Sequence, residues 1–166
     1  LQADTATARY GVTGAGVTVG VISDSFNSLN GYAADVTSGD LPANVRILSD
    51  MNAGVGTDEG RAMAQNIYDI APGAALQFAP AQAADGSGDD LIFAQNIRAL
   101  AAAGSKIIVD DIGYSNEPFF QDGIISQAVN SVVGQGVAYF SAAGNSQDHG
   151  YLSSFRGVNA TITGIS

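Results

Sequence analysis

The sequence predicts an α/β domain, a three-layer α/β/α stack built on a mainly parallel sheet. Three observations carry that prediction. Short apolar runs rich in β-branched residues alternate with longer stretches of helical periodicity, the order that builds βαβ units. The first run, residues 17–23 (VTVGVIS), is closely apolar, as a strand covered on both faces has to be. Glycine or proline follows the helical stretches, where a helix needs a stop.

The elements follow in order. After the strand at 17–23, residues 45–48 read as the second strand. Residues 58–70 read as a helix that Thr57 caps and Pro72-Gly73 ends. Residues 75–79 are the third strand. The clearest helix covers 89–103, where Leu91, Ile92, Gln95, Ile97 and Leu100 sit among alanines and Gly104 is the stop. Residues 106–110 make the fourth strand. A further helix at 122–133 puts Ile124, Ile125, Ala128, Val129 and Val132 on one side. Residues 137–142 make the fifth strand, and 160–165 are a short strand candidate in a polar tail. Helices falling between strands imply right-handed crossovers. No repeat or linker interrupts the pattern, so residues 1–166 read as one domain.

Composition narrows the functions. With 46% apolar and 13% charged residues, the chain is neither disordered nor a coiled coil. No apolar run reaches membrane-spanning length, and the first residues do not read as a signal peptide, so the sequence reads as starting at, or cut to, a mature domain. The net charge is −10, from 16 acidic and 6 basic residues. Those bases are scattered, which argues against nucleic acid as a partner, because phosphate binding needs clustered positive charge. The absence of cysteine excludes disulfides and thiol chemistry. The single histidine, His149, rules out a two-histidine metal site and reads as a surface residue. Acid–base chemistry at a second position therefore falls to a carboxylate.

In open α/β sheets the site lies at the carboxyl ends of the strands. Those ends carry Ser23-Asp24, Asp50, Asp110-Asp111 and Gly144-Asn145. The glycines at 11, 14 and 16 precede their strand, the wrong side for a dinucleotide-binding turn.

Four segments between about residues 11 and 150 resemble, in order, the subtilase family of serine proteases. Gly14-Ala15-Gly16-Val17 leading to Val21-Ile22-Ser23-Asp24-Ser25 resembles the strand that ends in the catalytic aspartate. Asp58-Glu59-Gly60, opening a helix that ends Ile70-Ala71-Pro72-Gly73-Ala74, resembles the catalytic-histidine helix. Asp85-Gly86-Ser87-Gly88, followed by a long helix and then Ile107-Ile108-Val109-Asp110-Asp111-Ile112-Gly113, is similar to the substrate-binding edge and the wall of the first specificity pocket. Gly136 to Asn145 (GVAYFSAAGN) is similar to the strand carrying the oxyanion-hole asparagine. Two departures stand out: Glu59 occupies the histidine position, and no Gly-Thr-Ser-like nucleophile segment occurs before Ser166. Sedolisins, which share the subtilisin fold, use a Ser-Glu-Asp triad, and Gln77-Phe78-Ala79-Pro80 is also similar to them. They take their aspartate from one turn after the glutamate, where this chain has Met63, and their oxyanion residue is an aspartate, where this chain has Asn145.

The resemblance implies a portion of a subtilase-like endopeptidase, subtilisin-like but incomplete, acting on a peptide or protein substrate. It is expected to be extracellular or in the cell envelope, and inactive without the serine. Asp24 would orient and charge-balance the base, and Glu59 would be the general base for a serine outside this chain. Two neighbouring carboxylates repel, so one of them should keep a proton. An unperturbed glutamate, with a pKa of about 4.3, is a base only in mild acid unless it is shifted up. Asn145 would donate its amide to a developing oxyanion, worth roughly 3 kcal/mol of barrier. Gly86, Ser87, Gly88 and Gly113 would edge the substrate groove, and Asp111 would shape the pocket or pair with Glu59. The plainer readings stay open: a strand-end turn for Asp24, a first-turn helix charge for Glu59, a turn asparagine at 145, and two acids on opposite strand faces at 110 and 111. Calcium is compatible with such an acidic chain, but no stretch has calcium-loop spacing and no ligand is assigned. An inactive pseudoprotease or peptide-binding module is the alternative. In either case apolar surface is expected where further chain would pack, with self-association through that face.

Overall fold

Along β1 (Thr18–Ser23) every residue after Thr18 is buried, which is what a central strand covered on both sides requires. The computed structural model describes residues 2–118, 120–145 and 154, and β1 is the middle strand of its five-stranded, all-parallel sheet. The other elements are α1 (Ala3–Tyr10), α2 (Tyr32–Ser38), β2 (Arg46–Ile47), α3 (Glu59–Ile70), β3 (Ala75–Pro80), α4 (Asp90–Ala102), β4 (Ile107–Asp110), α5 (Ile124–Val133) and β5 (Ala138–Ser141). The strands lie side by side in the order β2-β3-β1-β4-β5. The fold is therefore the three-layer α/β/α class that the sequence predicts. Neither α1 nor α2 is anticipated by the sequence reading. Neither has a fully buried residue, so neither carries the apolar stripe that announces a helix.

Alternation along the strands sorts the core into two halves. Val19 and Val21 of β1 and Leu76 and Phe78 of β3 face α3, meeting Ala64 from that helix and Phe26 and Leu41 from loops. Ile22, Ala79 and Ile108 face the opposite side, against Phe93, Ala94, Ile97 and Leu100 of α4 and Ala128 and Val132 of α5. Each of these larger side chains contributes about 1.5–3 kcal/mol by leaving water. In α4 the sequence pattern finds Ile97 and Leu100 of the buried stripe but misplaces its start. Leu91 is 47% exposed, whereas Phe93 is buried. Asp89 caps α4, its carboxylate accepting from the Leu91 and Ile92 amides.

The crossovers do not share one hand. Both β2–α3–β3 and β3–α4–β4 step in the same direction across the sheet, yet α3 and α4 pack on opposite faces. The β4–α5–β5 connection follows α4, so the α3 crossover is the odd one of the three. The expectation of uniformly right-handed connections is corrected here. Gly60 shows how closely α3 sits: a Cβ there would lie 2.3 Å from Phe78 Cε2 and 2.8 Å from the Ser25 carbonyl.

On the α3 side, no helix among the described residues covers β4 and β5. An apolar cavity of about 430 Å³ opens there, lined by Val19, Met63, Ile67, Ile107, Val109 and Phe140. Residues 160–165 and His149 lie outside the described residues.

Candidate functional site

Because the strands are parallel, their carboxyl ends share one rim. The helix α3 runs back from it, so its first residue, Glu59, stands at that rim beside the ends of β1 and β4. Asp24 follows β1 directly. Its carboxylate accepts hydrogen bonds from the Thr57 amide, the Thr57 hydroxyl (2.7 Å), the Glu59 amide (3.0 Å) and the Ser25 amide. Burial pushes the Asp24 carboxyl up. The donors from Thr57, Ser25 and Glu59 outweigh that and hold it below the usual carboxylate value. Asp24 is thus an ionised anchor at the positive end of α3. Thr57, which the sequence assigns as the cap of this helix, gives its hydroxyl to Asp24 instead.

The residue preceding α3 is Asp58, held at φ 61°, in the left-handed region, without any side-chain cap bond. Its environment explains how that backbone is sustained. Asp58 is 4% exposed. Its carboxylate accepts from the Ser25 hydroxyl (3.2 Å), the Leu29 amide (3.2 Å) and Arg61 (2.9 Å), while the Asp58 amide donates to the Ser25 hydroxyl at 2.7 Å. Arg61 also pairs with Asp35 and donates to the Phe26 carbonyl at 2.9 Å. Asp50 is part of the same scaffold. Its two oxygens accept from the Phe26 (2.9 Å) and Asn27 (2.8 Å) amides, so it shapes the loop after β1. Of this locking set the sequence singled out only Asp50, as a strand-end acid, and gave Ser25, Asp58 and Arg61 no role. The one available signal was Gly60, a poor helix former in a first turn, which marks a close approach.

Glu59 points its exposed carboxyl to the rim, and Asp111, the residue after β4, meets it. The Asp111 charge is the largest influence on Glu59. Together with burial, the Asp24 charge and the contact with the Asp111 carboxyl, it raises Glu59 above the ordinary glutamate value. Asp111 is also raised, by burial first, against the lowering contacts of the Ser23 hydroxyl and Glu59. Ser23 is fully buried, and neither its hydroxyl oxygen nor Asp111 Oδ1 has a well-formed hydrogen bond. Asp110 belongs to the other face. It is 3% exposed, accepts from the Ser141 hydroxyl at 2.8 Å and lies against Tyr139; burial raises it, only partly offset by those hydroxyls. The adjacent acids are thus split across the sheet, one at the rim with Glu59 and one in a cavity of about 430 Å³ between β4, β5 and α5.

The remaining expected residues fall into two places. Gly86, Ser87 and Gly88 form a tight hairpin after β3. Gly86 sits at φ 83° and donates to the Ala83 carbonyl (2.9 Å), the Ser87 amide bonds Asp85 (2.9 Å), and Gln82 and Gly88 bridge antiparallel. Tyr114 ties this hairpin to the segment holding Gly113: its hydroxyl donates to the Ala81 carbonyl (2.6 Å) and accepts from the Asp89 amide (3.1 Å). Several backbone groups of the expected groove edge therefore already have partners within the chain. Asn145 is exposed and follows the end of β5 by four residues, and no described contact joins it to Asp24, Glu59 or Asp111. Among the described residues no three acidic or histidine side chains are placed to hold a metal ion, and no helix is long and apolar enough to cross a membrane.

The rim gathers three carboxyls with opposed protonation behaviour. No family model and no curated protein matches this chain. The rim itself is therefore the ground for a functional reading: an ionised acid fixed by amides beside a raised, solvent-facing glutamate is a general-base arrangement.

Proposed function

We propose that this chain is part of a subtilase-like serine endopeptidase in which Glu59 is the general base. One observation carries the reading: Asp24 and Glu59, 35 residues apart, meet at the carboxyl ends of the strands, the Glu59 amide donating to Asp24 at 3.0 Å. The raised Glu59 carboxyl is matched to taking a proton from a hydroxyl nearer neutrality than an ordinary glutamate. The nucleophilic serine is supplied from outside these residues, and the 166-residue chain alone turns over no peptide. Asn145, in the segment after β5, is the oxyanion donor. The hairpin at Gly86–Gly88 with Gly113, joined through Tyr114, borders the substrate groove, and the natural setting is extracellular or in the cell envelope.

A fluorophosphonate probe applied to the natural parent chain tests this. The reading expects a labelled serine and peptide cleavage, with Glu59→Gln lowering turnover by about 10²–10⁴-fold. Binding of extended peptides without labelling, at both acid and neutral pH, would instead favour the inactive peptide-binding module.

A further inference from the structure

This inference rests on the proposed base role of Glu59 and assigns its partner. We propose that Asp111 is the proton partner of Glu59, the two carboxyls holding one proton between them, while Asp24 serves α3 as a fixed anion. The resemblance gives the partner role to Asp24, and the hydrogen bonds argue otherwise. Asp24 is occupied by three amides and a hydroxyl from residues 25, 57 and 59. Asp111, in contrast, has a buried Oδ1 without a well-formed hydrogen bond, and its carboxyl lies in contact with that of Glu59. Two carboxyls can approach in that way only with a proton between them. The sedolisin-like alternative, an acid one turn after the glutamate, is absent: Met63 takes that position and faces the apolar cavity. Asp111 supplies from the end of β4 what α3 does not carry.

The chemistry balances without a further reagent. At rest Glu59 holds the pair's proton and donates it as a hydrogen bond to Asp111; when that proton shifts to Asp111, Glu59 is left as the carboxylate. As the serine oxygen bonds to the peptide carbonyl carbon, its proton passes to Glu59. When the C–N bond breaks, that proton leaves on the amine. Asp111 keeps the shared proton through these two steps and is a positioning residue, orienting Glu59 and setting its basicity. The charged groups facing Glu59 are Asp111, after β4, and Asp24, after β1.

The test is a carboxyl carbon-13 NMR titration of this chain, comparing wild type with Asp111→Asn, Asp24→Asn and Glu59→Gln. Glu59 should titrate above an ordinary glutamate in the wild type, fall towards the ordinary value in Asp111→Asn, and move less in Asp24→Asn. Glu59→Gln, which removes the contact that lowers Asp111, should in turn raise the Asp111 midpoint, because the two sites titrate as a coupled pair. Glu59 is exposed, so that variant folds and carries the test even where Asp111→Asn does not. A Glu59 midpoint indifferent to Asp111, or governed by Asp24, overturns the pairing. Neither result depends on peptide cleavage: serine labelling with an uncoupled Glu59 would leave the peptidase standing and remove only the role of Asp111.

Discussion

Asp58 has no place in the chemistry, yet the position of Glu59 depends on it. Its carboxylate satisfies Ser25, Leu29 and Arg61 in a buried loop, and its own backbone is left-handed. Asp58→Ala would remove one of the two carboxylates on Arg61, leave the buried Ser25 hydroxyl and the Leu29 amide without their acceptor, and put alanine where φ is positive. We expect a loss of about 2–4 kcal/mol in urea unfolding, most of it from the unsatisfied buried groups and the backbone strain. At this scale the sequence was legible where a residue ends a strand. Asp24, Glu59 and Asp111 were named, and they converge. It was silent on Ser25, Asp58 and Arg61, because a lock between two loops leaves no periodic trace. It also set Asp50 beside the rim acids, although that side chain is spent on amides of the loop.

All five strands and the three helices of the core were readable, including the little-buried β2 and β5. The strands β1, β3 and β4 and the helices α3, α4 and α5 all fall within two residues of their expected bounds, because each pushes an apolar face into one of the two cores. The peripheral helices α1 and α2 bury too little to leave a pattern. Handedness was misread for a similar reason: the choice of face by α3 is decided by what packs on β1 and β3, and local sequence carries no record of it. The close seat of α3 gives a sharp prediction. Gly→Ala inside a helix ordinarily stabilises by about 1 kcal/mol. Gly60→Ala should instead destabilise by about 1–3 kcal/mol, since its methyl would collide with Phe78 and the Ser25 carbonyl. Thermal unfolding reads the sign directly; a rise in melting temperature would contradict the packing described.

For the whole molecule the signs of the shifted carboxyls set the response to pH. Glu59, Asp110 and Asp111 are raised in the fold, so their contribution is fully present below the ordinary carboxylate values and is lost as pH rises through the raised ones. Asp24 is depressed, so its contribution is present above the ordinary value and is lost as pH falls through its folded one. Self-repulsion from a net charge of −10 adds to the first group. Melting temperature should therefore be higher in mild acid than at pH 7 and collapse in strong acid. Glu59→Gln should narrow the difference between mild acid and neutrality. A melting temperature that climbs steadily from mild acid to pH 7 would be incompatible with these signs.

The four donors gathered on Asp24 also fix where strong acid first opens the fold. Protonating that single oxygen pair releases the Thr57 and Glu59 amides together, and with them the joint where the third helix leaves its loop, while the aromatic packing around Phe26 and Phe78 is still intact. Amide exchange at those two positions should accelerate before it does in the central strand, so that the proposed base swings free of its setting while the sheet beneath it still holds.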